Sequence, residues 1–440
     1  MPNTHKKTAL VTAILLEISI GNATAATIQV DGNNCSLTDA ITAANTNMAT
    51  GGCTAGSGDD VLELMAGTTF SLNNSLPPIN SNITINGNGS TIERTFNAPN
   101  DFRVLTAANA DLTVNDTTIS GGLDFNGNFG AGIRMDDGRL IINRSTVTGN
   151  TGGGVVINNG GTSQINHSVI SYNYGVVAQR YGSGVSVVSS ELNIDNSSIS
   201  NNFTQSTVGS GALYLSDLDG PVTVNLRNST VSGNQSTNDG GGIAHQHSGN
   251  GSTLNVDNST ISGNVSYADG GGLSIQGLTT TIRNSTITQN YAQSNGGGLH
   301  IASGSLTLQQ SLLAGNYLYG SGPQLRVDGG AVTLGNFNAF GFSNTSGLSG
   351  IGPGPTDIIP SAPLLSGLMD NSLADNGGNT RTHALNLNGQ AIDFIPAANC
   401  LQSNDQTGKI RPIDADGDGN SACDIGAVEM PSIIFKNGFD

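Results

Sequence analysis

Three groups of residues have the types and spacing of chemical sites. Asp414, Asp416 and Asp418 alternate along the chain, Gly419 follows, and Asp424 lies close behind. Hard oxygen donors at alternate positions suit Ca2+, and the glycine lets such a loop fold back over the ion. The bidentate Glu that would close the loop at its twelfth place is missing, because Ile425 stands there. The bland reading is a polar loop held by cysteines. Asp239 and Asp269 form the second group, each preceding a run of three glycines one repeat apart. On neighbouring coils their carboxyls would sit about 5 Å apart, the separation of a retaining glycosidase pair. His245 and His300 are nearby in the same strand region of the repeat, and the alternation turns His245 inward and His300 outward. Asn295 continues the column, so a turn preference for Asp and Asn is the favoured explanation. The third group is a series of hydroxyl pairs: Thr118/Ser120, Thr146/Thr148, Ser198/Ser200, Thr230/Ser232, Thr260/Ser262 and Thr286/Thr288. Stacked, they make a flat hydroxyl face. It follows from β-propensity and solubility, or it serves as a sugar-binding or an ice-binding surface. Val169 and Leu312 break its regularity, against the ice reading most of all.

The elements that must position these groups are repeats of one phrase. Asn258 to Asn264 reads NSTISGN, and variants of it end at Gly122, Asn150, Asn173, Asn202, Asn234, Asn290 and Asn316. A unit recurring every few tens of residues marks a solenoid. The local period is 2, not 3.6. Apolar columns run through Ile119, Val147, Ile170, Ile199, Val231, Ile261, Ile287 and Leu313, and five residues earlier through Val114 to Leu308. Between the phrases lie glycine corners such as Gly240–Ile243, Gly270–Leu273 and Gly296–Leu299, where positive φ is tolerated. Each unit supplies about three short strands and three corners. Parallel stacking at about 4.8 Å then gives an all-β chain, a right-handed parallel β-helix of roughly ten or eleven coils and roughly 50 Å. Stacked columns of Ser (Ser145 to Ser311) and Asn (Asn150 to Asn316) would bond backbone groups left open at the corners. Asp195, Arg227, Asp257 and Arg283 form an alternating charge column, read as a solvated ladder.

Net charge is −17, although only 11% of residues are charged, and tryptophan is absent. An acidic chain with no basic patch argues against nucleic acid and against unaided binding of acidic polysaccharides. The lack of tryptophan argues against an aromatic sugar platform. Lys6 and Lys7, the apolar run Thr8 to Leu16 and the small residues Ala23-Thr24-Ala25 have the layout of a secretory signal peptide over residues 1–25. No other stretch reaches 18 apolar residues, so no membrane span is expected. Four cysteines suit an exported protein. Local pairs Cys35–Cys53 and Cys400–Cys423 are the economical choice among three possible pairings. Ser36 to Asn45 reads as a short amphipathic helix, with Ser36 as N-cap and Asp39 three residues on, lidding the first coil. The many Asn-x-Ser/Thr triplets arise from the repeat itself.

The run Cys35-Ser36-Leu37-Thr38-Asp39-Ala40-Ile41, then Ala43-Ala44-Asn45, resembles the N-terminal domain named for Cys-Ser-Leu-Arg-Glu-Ala, with Thr38 and Asp39 in place of Arg and Glu. Asn376–Leu385 (NGGNTRTHAL), Gln390–Asp393, Cys400, Asp405–Pro412 (DQTGKIRP) and Cys423–Glu429 (CDIGAVE) resemble the choice-of-anchor Q domain of bacterial surface proteins. The repeats are similar to those of chlamydial polymorphic outer-membrane proteins, with Ile in place of Phe. These resemblances imply a secreted or surface-displayed bacterial β-helix of the pectin-lyase-like class and no particular reaction. The organisation expected is a leader (1–25), a cap with a helix (26–58), the β-helix (59–345), a choice-of-anchor Q-like region (346–430) and a short tail (431–440). The function expected is non-catalytic adhesion or contact with a polysaccharide or cell-surface polymer. The alternative is a carbohydrate-active enzyme, a polysaccharide lyase or glycosidase using Asp239, Asp269 and His300. Lyases of this class gather Asp, Lys and Arg on one face of neighbouring coils, and no such cluster is legible.

Overall fold

The repeat phrase decodes residue by residue in the computed structural model. It describes residues 24–125, 129–176, 182–206, 211–247, 251–319 and 322–432. The expected leader falls almost wholly outside them, as does the tail from residue 433. Asn258 takes positive φ (46°) at one corner and Gly263 (64°) at the next. Asn tolerates that backbone better than other side chains, and Gly has no Cβ to obstruct it. Between the corners, Thr260 and Ser262 point outward, and Ile261 points into the bore at 0% exposure. Ser259 and Asn264 are fully buried, each just inside a corner.

Those two buried residues satisfy the backbone of the coils around them. Ser259 Oγ donates to Asp257 O at 2.8 Å and accepts the Ser229 amide at 3.2 Å. Asn264 Oδ1 accepts both the amide (3.1 Å) and the Nδ2 (2.9 Å) of Asn234. Its own Nδ2 donates to Val231 O and to Asn290 Oδ1, each at 2.9 Å. The pattern repeats from Asn150 to Asn316 and from Thr117 to Ser311. A turn-rich coil would otherwise bury unpaired amides at about 1–3 kcal/mol apiece.

Strands of successive coils pair in parallel and build a right-handed β-helix. One ladder runs from Thr27–Val30 through Thr253–Asp257 to Ala331–Leu334. A second runs from Thr69–Leu72 through Thr260–Ser262 to Ala339–Phe340. A third runs from Leu105–Ala108 through Ile243–Gln246 to Leu348–Ser349. Together they form one 29-stranded sheet, and a separate 6-stranded sheet of two-residue strands lies at the corner after the second ladder. The bore is filled by stacked aliphatics such as Leu254, Val256, Ile261 and Leu273, each worth about 1.5–3 kcal/mol when buried. Glycine is required at the corner before the third ladder. A Cβ on Gly271 would lie 2.3 Å from Gly297 O of the next coil.

The N-terminal lid is as expected. Helix Leu37–Thr46 is capped by Ser36, which accepts the Asp39 amide, and it buries Leu37, Ala40, Ile41, Ala43 and Ala44. These join the bore's core. Both disulfides are the local ones, Cys35–Cys53 and Cys400–Cys423. The C-terminal region lies against the side of the rod. It does not extend the rod beyond its last coil. It folds back along the outer face of the second ladder, burying Leu312, Ala314 and Ala339 against Leu365, Leu368, Leu385 and Ile425. Leu312, which interrupts the hydroxyl pattern, is thus a docking residue.

Candidate functional site

The returning segment divides the hydroxyl face in two. Thr230 donates to Arg381 O at 2.6 Å, Thr260 to Gln406 Oε1 at 2.6 Å, and Ser262 meets His383 Nε2 at 2.7 Å. Thr286 Oγ1 accepts the Ala427 amide at 3.0 Å. Thr230, Thr260, Thr286 and Thr288 are therefore buried. The open six-coil face expected from sequence is corrected to a shorter one, carried by Thr118, Ser120, Thr146, Thr148, Ser198 and Ser200. Where the open part meets the segment lies a groove of about 570 Å³. Ser198, Ser200 and Ser232 form its floor, Asn379 and Arg381 its wall, and Tyr172 stands at its rim. Among the described residues, no Asp or Glu lines it. A second cleft of about 620 Å³ lies beside the N-terminal lid. Its one charged residue, Asp31, accepts the amides of Asn33, Asn34 and Cys35, which hold its carboxyl below the usual value. That aspartate closes a turn.

The Asp239 and Asp269 column lies on adjacent coils, as expected. Its contacts run along the ladder: Asp239 Oδ1 accepts the Asp269 amide at 3.2 Å, and Asp269 Oδ1 accepts Asn295 Nδ2 at 3.0 Å. The register turns His245 inward, between Leu215 and Ile275, and His300 outward, between Ser274 and Arg326. His300 Nδ1 is 3.5 Å from Asp269 Oδ2 and its Nε2 is 2.9 Å from Asp328 Oδ2. Asp328 also pairs with Arg326 at 2.5 Å. Burial raises the Asp239 carboxyl and the neighbouring Asp269 charge adds to this. Hydrogen bonds from His300 and Arg326 hold Asp328 low. Asp328 and Arg326 were not anticipated. Their signal was the outward position of His300, continued by one coil.

His245 lies in the bore with its Nε2 3.3 Å from Asp217 Oδ2, both side chains almost wholly buried. Its Nδ1 is 2.5 Å from Gln276 O and must donate to it, since a carbonyl only accepts. Burial lowers the imidazole's affinity for a second proton, and the Asp217 charge opposes that.

In the acidic loop, Asp393, Asp414 and Asp416 offer oxygens within 4.8 Å of one another. Asp393 Oδ2 accepts the amides of Ala415 and Asp416, while Asp393 Oδ1 is buried without a hydrogen-bond partner. Burial, then the charges of Asp416 and Asp414, raises the Asp393 carboxyl. Asp418 accepts the Asn420 amide at 2.7 Å. Asp424 is fully buried and accepts the amides of Asp393 and Met430.

The C-terminal motif residues make a buried polar frame. Arg411 donates to Asp424 O and Gly426 O and faces Glu429 at 3.3 Å. Glu429 accepts the amides of Ile413 and Asp424, and Asp405 those of Thr407, Lys409 and Glu429. Burial pushes Asp424 up to about 6 and Glu429 up to about 8, the latter helped by the Asp424 charge and opposed by Arg411. Gln406 clamps the frame to the rod through Ser229 O, Thr230 and Thr260.

No protein-family profile matches the sequence, and no curated protein matches it. Among solved structures, the chain is similar to pectate lyase Pel9A, with 14% identity over 93% of this chain and 98% of that chain and a TM-score of 0.46.

Proposed function

We propose that this chain is an exported bacterial β-helix protein that holds a polysaccharide or cell-surface polymer without turning it over. The groove carries the reading. A row of hydroxyls at rung spacing meets a wall bearing Asn379 and Arg381 and, among the described residues, no carboxylate, a surface rich in hydrogen-bonding groups and poor in acid–base machinery. The C-terminal region, which resembles choice-of-anchor Q domains, serves as the groove's wall. Its frame of Asp405, Gln406, Arg411 and Glu429 holds that wall in place. Asp393, Asp414 and Asp416 hold Ca2+ and stiffen the same region. The orphaned Asp393 Oδ1 fits a hard cation, and Asp418 and Asp424 support the loop through backbone amides.

The competing reading is a carbohydrate-active enzyme working at Asp239, Asp269 and His300, favoured by the raised Asp239 carboxyl beside a second aspartate. One experiment separates them: measure both retention and product release on a panel of polysaccharides. Retention without product, weakened roughly fivefold or more by Arg381→Ala and Ser200→Val, is expected. Product release abolished by Asp239→Asn or Asp269→Asn would replace binding with catalysis.

A further inference from the structure

The six-stranded sheet at the corner after the second ladder is built inside out. Its strands are two residues long, and in five of the six the residue facing inward is small: Gly175 is buried and Thr204, Ser236, Ser266 and Ala292 are each 0% exposed, while the sixth strand carries the half-buried Leu318. The residue facing outward is large. In register these are Tyr174, Phe203, Gln235, Val265, Tyr291 and Tyr317. A parallel column two residues further along adds Tyr267 and Tyr319, 46% and 75% exposed. Tyr174, Tyr267, Tyr291, Tyr317 and Tyr319 are most of the chain's 8 tyrosines, gathered on one narrow edge. Elsewhere an aromatic is covered, as Tyr214 is at 0% exposure on the outer side of the third ladder, whereas Tyr267, Tyr317 and Tyr319 are 46%, 51% and 75% exposed.

The stripe's chemistry narrows its ligand. Tyr174 and Phe203 pack with centroids 5.4 Å apart. Phenol oxygens are tied to amides, Tyr174 to Gln205 and Gln235 to Tyr267, so rings are held with an apolar face and a polar edge. That combination suits a sugar ring, which has both. The two columns, Tyr174 to Tyr317 and Gln205 to Tyr319, carry no charged side chain although the chain's net charge is −17. A polyanion is repelled by the acidic chain at large and finds no cation among the described residues of the two columns, whereas a neutral polymer meets neither obstacle. Six strands at about 4.8 Å give a stripe about 24 Å long. It is two residues wide, so it presents roughly a few hundred Å², well short of the ~800 Å² per partner of a stable protein interface.

We infer that the outer face of this sheet is a stacking surface for a neutral polysaccharide chain lying along the rod. The inference shares its ligand class with the groove reading and rests on that reading in this respect, but it names another face and the polymer's charge. The test uses the full chain against insoluble cellulose, chitin and xylan, with polygalacturonate as the acidic control. Retention is expected on at least one neutral polymer and weaker on the acid. Tyr291→Ala with Tyr317→Ala should weaken it roughly tenfold, and Gln235→Tyr, which fills a gap in the stripe, should strengthen it. Tyr319→Ala, on the most exposed ring, should weaken binding with the melting temperature unchanged, which a purely structural stripe would not do. Neutral-polymer retention that ignores the tyrosine variants but falls with Arg381→Ala overturns the inference and leaves the groove standing. Retention on the acid alone, or none on the neutral polymers, overturns it as well. Self-association abolished by the tyrosine variants would assign the stripe to a second copy instead.

Discussion

The rod and the segment that returns along it bury polar groups in opposite ways. In the rod's Ser and Asn ladders, buried polarity is neutral and periodic: Ser259 and Asn264 each bond the coil on either side, and the next coil does the same. In the segment, buried polarity is ionisable and occurs once: Arg411, Glu429, Asp424 and Asp405 satisfy each other and a fixed set of amides. Neutral ladders spread cost and gain over many coils, so no single rung is critical. A charged frame concentrates both, because desolvated ions are stable only while every partner is present.

The sharpest break between the regions should come from Arg411→Ala. It strips a buried cation from beside Glu429 and leaves the carbonyls of Asp424 and Gly426 unpaired. A loss of about 3–5 kcal/mol is expected, confined to the segment. Hydrogen exchange should show rapid opening of residues 370–430 with the ladders still protected. Uniform loosening of rod and segment would mean that the two are one cooperative unit.

The same contrast should appear on a pH axis. Asp424 rises from 3.8 to about 6 on folding and Glu429 from 4.5 to about 8. The folded segment therefore binds more protons than the unfolded one in this window, and its stability falls as pH rises from about 4 to about 8. The Asp424 contribution is about 2–3 kcal/mol. The Asn and Ser ladders do not titrate. Protease susceptibility of the segment should thus climb with pH faster than that of the rod. An opposite slope would place the ionised forms as the folded ones.

What the sequence disclosed follows the same division. Column identity was legible because stacking is periodic: Asn264 sits over Asn290 wherever the phrase repeats. The inward turn of His245 and the outward turn of His300 followed from alternation alone. The segment's placement was not legible, because Gln406 meets Thr260 across 146 residues with no period linking them. Leu312 was the one local sign, an apolar residue where the columns put a hydroxyl. Asp393 was hidden for a similar reason, lying outside the alternating acidic run and reaching it only through the fold. The aromatic stripe was not legible because its members are single residues scattered one per repeat, outside the columns that the repeat phrase defines.

A gentler probe of the rod is Asn264→Ala. It removes the acceptor for two donors of Asn234 and the donor to Val231 O. About 2 kcal/mol should be lost, read as a shift in the urea midpoint. The same change at half-buried Asn316, near the rod's end, should cost about 1 kcal/mol, since water replaces part of what is lost. Equal costs would mean that the ladder's worth does not depend on its burial.

The smallest effect tests which acids hold the ion. At free Ca2+ ten times its Kd, binding stabilises the folded form by about 1.4 kcal/mol, a rise of a few degrees in the segment's melting. Alternation along the sequence assigns this to Asp414, Asp416, Asp418 and Asp424, whereas proximity assigns it to Asp393, Asp414 and Asp416. Asp393→Asn keeps one oxygen for the amides of Ala415 and Asp416 but removes the charge that Oδ1 would bring. Asp418→Asn keeps the acceptor for Asn420. If proximity governs, the first substitution abolishes the Ca2+-dependent rise and the second leaves it intact. The reverse pattern would return the site to the linear motif, and no rise at millimolar Ca2+ in the unmodified chain would remove the ion from both readings.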